Sequence, residues 1–192
     1  MTPAYDDEIW MLVPVAAGPP PAHLVKLVRS LGAHQRVLDL GAGDGRLSAG
    51  LQAGELTLAD VSEVALGRAC ERLPGARTAL IEPDAPLPFE GNAFDLVLCA
   101  ETIEHVRDVQ GLLSEVRRVL RPGGKLAITT PAHRRLTGLA IAWRGFERCF
   151  DPLSPHLRFF TRRSLAVLLS EMGFEVVSLR TRTGMLLAVA TR

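Results

Sequence analysis

The chain has 192 residues, 47% of them hydrophobic, enough for one substantial core and a single domain over residues 1–192. A formal net charge of +1 excludes the global field of a chain that holds DNA or a membrane surface by charge alone. No apolar run approaches the roughly 20 residues of a membrane-spanning helix. The N-terminus carries acids, not a basic leader, and three widely spaced cysteines suit a reducing compartment, so a cytoplasmic protein is expected.

Residues 1–21, with Tyr5, Ile9, Trp10, Met11 and a Gly-Pro-Pro-Pro run, stand outside any regular alternation and read as an N-terminal cap segment. A helix over 22–32 ends at Gly32, and Val37, Leu38 and Leu40 mark a short buried strand over 36–40. The chain then breaks into Gly41-Ala42-Gly43-Asp44-Gly45 before a helix expected over 44–52. A strand, a glycine-rich turn and a helix are how α/β proteins bring bare backbone against a nucleotide-like ligand. Asp39, just before the loop, would serve a phosphate poorly and an amino group well.

Strand 56–60 ends in Asp60, where an acid can accept both hydroxyls of a ribose or cap the helix that follows at 62–73. A strand near 77–81 leads into an extended segment held by Pro83, Pro86 and Pro88. Strand 94–100 precedes a helix over 108–120, a Pro122-Gly123-Gly124 turn and a strand over 125–130. Residues 131–160 hold Trp143, Phe146, Phe150, Phe159 and Phe160 among five arginines, and an insertion of this length reads as a lid over an acceptor site. A helix over 161–173, opened by Thr161 and closed by Gly173, is followed by a hairpin split at Thr183-Gly184. The alternation predicts an α/β, Rossmann-like doubly wound sheet, mostly parallel, with helices on both faces.

Four segments together resemble the class I S-adenosylmethionine-dependent methyltransferase family. They are RVLDLGAGDGRLS (36–48), LTLAD (56–60), DAPLPFEGNAFDLVL (84–98) and RRVLRPGGKLAITTP (117–131). The spacing Gly-x-Gly-x-Gly also differs from the Gly-x-Gly-x-x-Gly of dinucleotide enzymes. The resemblance implies seven strands in the order 3-2-1-4-5-7-6 with the last antiparallel. It implies S-adenosyl-L-methionine as cofactor, held by Asp39, Gly41, Ala42, Gly43, Asp60, Val61, Asp84, Ala100 and Glu101. Asp84 would meet the adenine amino group, with Glu82 as its alternative, and Val61 and Leu87 would flank the ring.

Glu101-Thr-Ile-Glu104-His105 is the constellation nearest to chemistry. If the chain turns helical after the fourth strand, positions i, i+3 and i+4 share one face and suit a divalent cation. The same Glu-x-x-Glu-His pattern resembles quinone-biosynthesis O-methyltransferases and small-RNA terminal 2′-O-methyltransferases, the latter adding a later histidine similar to His156. That resemblance implies a metal set of Glu101, Glu104, His105 and His156. Without metal, Glu101 would sit near the cofactor and His105 would pack locally. An acceptor that carries a proton also needs a base, for which His105, His133 and His156 are candidates, while His23 and His34 are expected away from the rim.

Three functions compete at this level. The first is methyl transfer to oxygen or carbon of a small quinone-like, lipid-like or natural-product acceptor, favoured by the aromatic lid and near-zero charge. The second is metal-assisted RNA 2′-O-methylation, favoured by the Glu-x-x-Glu-His pattern but lacking an evident RNA-binding extension. The third is a non-catalytic cofactor-binding partner protein. DNA is not an expected partner.

Overall fold

A computed structural model describes residues 3–15, 18–133, 143 and 156–192. The chain order is α1 (Pro3–Leu12), α2 (Ala22–Ser30), β1 (Ala33–Leu40), a 3₁₀ turn (Ser48–Gly50), β2 (Gln52–Asp60), α3 (Glu63–Arg72), β3 (Arg77–Leu80) and β4 (Phe94–Ala100). It continues with α4 (Val109–Val119), β5 (Leu120–Pro131), α5 (Arg162–Glu171), β6 (Glu175–Arg182) and β7 (Met185–Thr191). The strands form one seven-stranded sheet in the order β3-β2-β1-β4-β5-β7-β6, as the resemblance implied. The first five strands pair in parallel, and β7 runs antiparallel to both of its neighbours.

Alternation along the central strands explains why both faces are covered. Leu38 and Leu40 of β1 and Val97 and Cys99 of β4 turn to the face packed by α4 and α5, with Leu113, Val116, Leu165 and Leu169. Val37, Leu96 and Leu98 turn the other way, onto Val28 and Leu31 at the end of α2. A parallel strand buried on both faces needs apolar residues at successive positions, which is what β1 and β4 supply. The helices start on side chains that satisfy their first amides: Ser62 accepts from Ala65, Asp108 from Gly111, and Thr161 forms a capping box with Ser164.

Three expectations are corrected. The helix expected over 44–52 is a series of turns ending in a single 3₁₀ turn, because Gly45 adopts φ +72°, outside the helical region. The Pro-Gly-Gly segment is not a separate turn but a bulge inside β5, where Gly123 has φ +73° and the register against β4 shifts between Phe94 and Leu96. The N-terminal segment, expected outside the regular scaffold, contains helix α1, which rides on α3.

Candidate active site at the carboxyl ends of the strands

The carboxyl ends of β1, β2 and β4 open on one cavity of about 590 Å³, within the size range of small-ligand sites. Its walls include Gly41, Gly43, Asp60, Val61, Asp84, Leu87, Glu101 and His105. Of the residues expected to hold the cofactor, Gly41, Gly43, Asp60, Val61, Asp84 and Glu101 thus share one space. Asp39, Ala42 and Ala100 do not line it.

The glycine loop is held by backbone and side-chain bonds that leave no room for a Cβ. Gly41 and Ala42 both donate to the Ala59 carbonyl, at 2.8 and 3.1 Å, and Gly43 donates to Asp60 Oδ2 at 2.8 Å. A Cβ on Gly41 would lie 2.6 Å from Thr102 Cγ2, and one on Gly43 would lie 2.6 Å from the Trp10 ring. The Thr102 hydroxyl donates to the carbonyls of Leu40 and Ala100, at 3.2 and 3.1 Å, and so ties the loop to the end of β4. Below the loop, buried Asp44 pairs with Arg46 at 2.7 Å and with Arg72 of α3 at 3.2 Å. These partners lower its carboxyl pKa although burial alone would raise it. Thr102, Trp10 and the Asp44–Arg72 brace carry no local sequence signal, because their partners lie on other elements.

Asp60 is both a strand-tip acceptor and a brace. Its second oxygen accepts from the Ser62 amide at 3.0 Å, and burial raises its pKa against the pull of three backbone hydrogen bonds. Asp39 behaves differently from expectation. It is almost fully buried, accepts a 2.5 Å hydrogen bond from Ser48, and braces the base of the loop without facing the cavity. Its position on β1 puts it on the same sheet face as Val37, opposite Leu38 and Leu40.

Burial raises the Asp39 carboxyl to about 7, from 3.8 when exposed. A folded-state pKa above the unfolded value means the protonated form favours the fold. Its stabilisation is therefore complete below about pH 4 and is lost as pH rises through 7. Asp39→Asn should accordingly flatten the decline in unfolding free energy between pH 4 and 7, measured by denaturant titration across that range. Glu104, raised to about 7 by burial, contributes to the slope that remains, together with Asp60 and Glu101, which burial also raises. An unchanged slope in a folded Asp39→Asn variant would show that Asp39 keeps the same ionisation in both states.

The far wall is the proline segment. Arg118 of α4 donates to the carbonyls of Phe89 and Leu87 at 2.8 and 2.9 Å, while Glu115 accepts from the Leu87 amide at 2.8 Å. Asp84, with φ +59°, already pairs with Arg107 at 2.8 Å and accepts from the Asp108 amide at 3.3 Å. Glu82, the alternative acid, lines the same cavity.

The Glu101–His105 segment is not helical: α4 begins only at Val109, and Glu101 has φ +56°. The expected shared helical face is therefore replaced by a turn closed by His105 N–H donating to Thr102 O at 3.0 Å. Glu101 is turned aside, accepting from the Thr129 hydroxyl at 2.8 Å. Glu104, His105 and His156 do converge, each offering a ligand atom within 4.8 Å of the others. Leu157 and Arg158 donate their amides to the Glu104 carbonyl at 2.8 and 3.1 Å, which draws the loop carrying His156 onto this turn. Glu104 is buried, with Oε2 accepting from Thr130 at 3.0 Å and Oε1 lacking a partner among the described residues.

The three candidate bases are close neighbours, but only His105 lines the cavity. The His105 and His156 rings lie 4.9 Å apart, and His133 packs edge-on against Phe159 at 4.6 Å. Burial, and secondarily His156, holds the His133 pKa below its ordinary value. His23, expected away from the rim, is near enough for its charge to lower the Glu101 pKa against the rise from burial. Of the expected acceptor lid, Trp143 is 85% exposed, while Phe146 and Phe150 lie outside the described residues.

Comparison with known proteins agrees with this geometry. A family model described as a methyltransferase domain matches residues 19–179. The chain is 34% identical over 172 residues to the malonyl-[acyl-carrier protein] O-methyltransferase of Methylococcus capsulatus, covering 86% of this chain and 56% of that protein. It is 36% identical over 116 residues to the ubiquinone/menaquinone biosynthesis C-methyltransferase UbiE of Psychromonas ingrahamii, covering 54% and 46%. The chain thus spans about half the length of these curated relatives. A SAM-dependent methyltransferase of Thermotoga maritima shares the fold at a TM-score of 0.73 and 22% identity, over 98% of this chain and 95% of that one. No helix among the described residues is long and apolar enough to cross a membrane. With its glycine loop, strand-tip acid and sheet order, the chain belongs to the class I S-adenosylmethionine-dependent methyltransferases.

Proposed function

We propose that this protein transfers a methyl group from S-adenosylmethionine to oxygen or carbon of a small acceptor held at the Glu101–His105 end of the cavity. One observation carries the reading: the glycine loop and Asp60 share a single cavity with Glu101 and His105. The lining fits the cofactor, because bare loop backbone, a strand-tip carboxylate and apolar side chains share one space. Gly41, Gly43 and Asp60 would hold the amino-acid and ribose parts, with Val61, Leu87 and an acid, Asp84 or Glu82, around the base. S-adenosylmethionine, when bound, supplies a methyl group already activated on a positively charged sulfur. The protein then has to aim the acceptor, exclude water and take up its proton.

His105, on the cavity wall, is the base best placed for that proton, with His156 beside it. In a second reading Glu104, His105 and His156 are the donor set for one divalent cation, with His105 then a ligand and not the base; Glu104 Oε1, without a partner among the described residues, supports it. Such an ion would orient an acceptor oxygen and lower its pKa. Glu101, engaged by Thr129, is left as a cavity-wall residue beside the cofactor. Small acceptors are favoured over RNA by the relatives named above, a malonyl-[acyl-carrier protein] O-methyltransferase and a ubiquinone/menaquinone biosynthesis C-methyltransferase.

Calorimetric titration should give clear binding of S-adenosylhomocysteine and negligible binding of NADH. Elemental analysis after manganese loading should find about one ion per chain, reduced at least tenfold in affinity by His156→Ala. Tighter binding of NADH would overturn the cofactor assignment. A chain that binds no manganese, magnesium or zinc would return Glu104 and His156 to structural roles and leave proton transfer to His105 alone. Mass spectrometry of a co-purified small molecule identifies the acceptor class, and a bound RNA 3′ end in its place would favour the RNA reading.

A further inference from the structure

Helix α1 occupies a place that nothing in the glycine loop explains. Asp6, Ile9, Trp10 and Val13 line the same cavity as Gly41, Gly43, Asp60 and Val61. The Trp10 indole rests so closely on Gly43 that a Cβ there would lie 2.6 Å from the ring. Asp6 stands near enough to Asp60 for that charge, added to burial, to raise its carboxyl pKa. On its outer side the helix exposes Met11 and Leu12, 66% and 84% accessible, so it buries apolar surface only toward the cavity and α3.

Among the described residues its polar tethers to the domain are few. Asp7 accepts a 2.5 Å hydrogen bond from the Ser62 hydroxyl and a 3.2 Å bond from the Val64 amide, at the very start of α3. Arg68 of α3 donates to the Val13 carbonyl at 2.9 Å. After Val13 the sequence runs through Pro14 and the Gly18-Pro19-Pro20-Pro21 stretch before α2, a proline-rich composition that favours a stiff connection. Asp7 does not line the cavity, so it acts on α1 from outside.

We infer that α1 is a lid on the cofactor cleft, with Trp10 and Asp6 as cofactor-contacting residues and Asp7 as the latch that holds it to α3. The inference rests on the cofactor assignment made above. Two carboxylates, Asp6 and Asp60, line the same cleft, and the charge of Asp60 reaches Asp6. The paired hydroxyls of a ribose between them would donate to both and bridge them. Closure of α1 and retention of the cofactor are then one event. The lid must lift before the product leaves.

The chain has two tryptophans, so Trp143→Phe leaves Trp10 as the sole reporter. Titrating that variant with S-adenosylhomocysteine should change the Trp10 emission with the same Kd that calorimetry gives for the parent. In the same background, Asp7→Ala should speed dissociation, followed by stopped-flow chase, at least fivefold while Kd moves less, because entry is released as well. Trp10→Ala should weaken binding about tenfold by calorimetry, and Trp10→Phe should restore most of it, separating ring contact from folding. Parental binding with a silent Trp10, and parental affinity and dissociation in Trp10→Ala and Asp7→Ala, would remove α1 from the site and leave the cofactor reading intact. Failure of the parent chain to bind S-adenosylhomocysteine would overturn both.

Discussion

Asp60→Ala is expected to weaken binding of S-adenosylhomocysteine by about tenfold to a hundredfold, the cost of losing hydrogen bonds to a charged acceptor, about 1.5–3 kcal/mol. The structure gives the loss two sources. The carboxylate faces the cavity at the tip of β2, where a ribose would meet it. It also receives the amides of Gly43 and Ser62, at 2.8 and 3.0 Å, so its removal frees the glycine loop as well. Asp60→Asn should be nearly as damaging, because an amide offers one acceptor oxygen where two backbone donors converge. Both variants should remain folded, since the β2 core residues Leu58 and Ala59 are untouched. Calorimetric titration checks the result, and a folded Asp60→Ala chain with parental affinity would place the ribose elsewhere.

What was legible in the sequence follows from how local each cause is. The strands declared themselves through runs such as Phe94–Ala100, which match the observed β4 residue for residue, because burial on both faces demands continuous apolar side chains. Sheet order was not readable from periodicity and came from resemblance. The helix expected after the glycine loop failed because an amphipathic pattern over 44–52 could not outweigh Gly45 at φ +72°. Helix α1 escaped notice because three consecutive acids and a proline flank its aromatic residues, leaving no clear apolar stripe.

The site divides along the same line. Gly41, Gly43 and Asp60 line the cavity as expected, because glycine backbone and an acid at a strand end are local features of the sequence. Thr102 was not legible, since it meets the loop from an element distant in sequence, while Trp10 was expected only as part of the N-terminal cap segment. Asp39 was expected beside the cofactor, but strand alternation decides its direction, and its carboxylate meets Ser48 and does not line the cavity. For Glu101, the predicted helical face gave way to a turn, so spacing alone overstated its part in the Glu104–His105–His156 cluster.

Gly41→Ala should destabilise the fold by about 2–5 kcal/mol, combining a left-handed backbone with displacement of Thr102. Gly41 has φ +75°, and its new Cβ would lie 2.6 Å from Thr102 Cγ2 and 3.0 Å from Thr102 Cβ. Thr102 cannot swing away cheaply: it is β-branched, and its hydroxyl is committed to the carbonyls of Leu40 and Ala100. The double variant Gly41→Ala, Thr102→Ala separates the two costs, relieving the collision while the backbone strain remains. Gly67→Ala is the control of opposite sign. That glycine sits inside α3 with no heavy atom near its missing Cβ, so alanine there should stabilise by about 0.5–1 kcal/mol. Denaturant unfolding of the four chains measures all of this. If Gly41→Ala proved as benign as Gly67→Ala, neither the left-handed backbone nor the Thr102 contact would constrain the loop at Gly41.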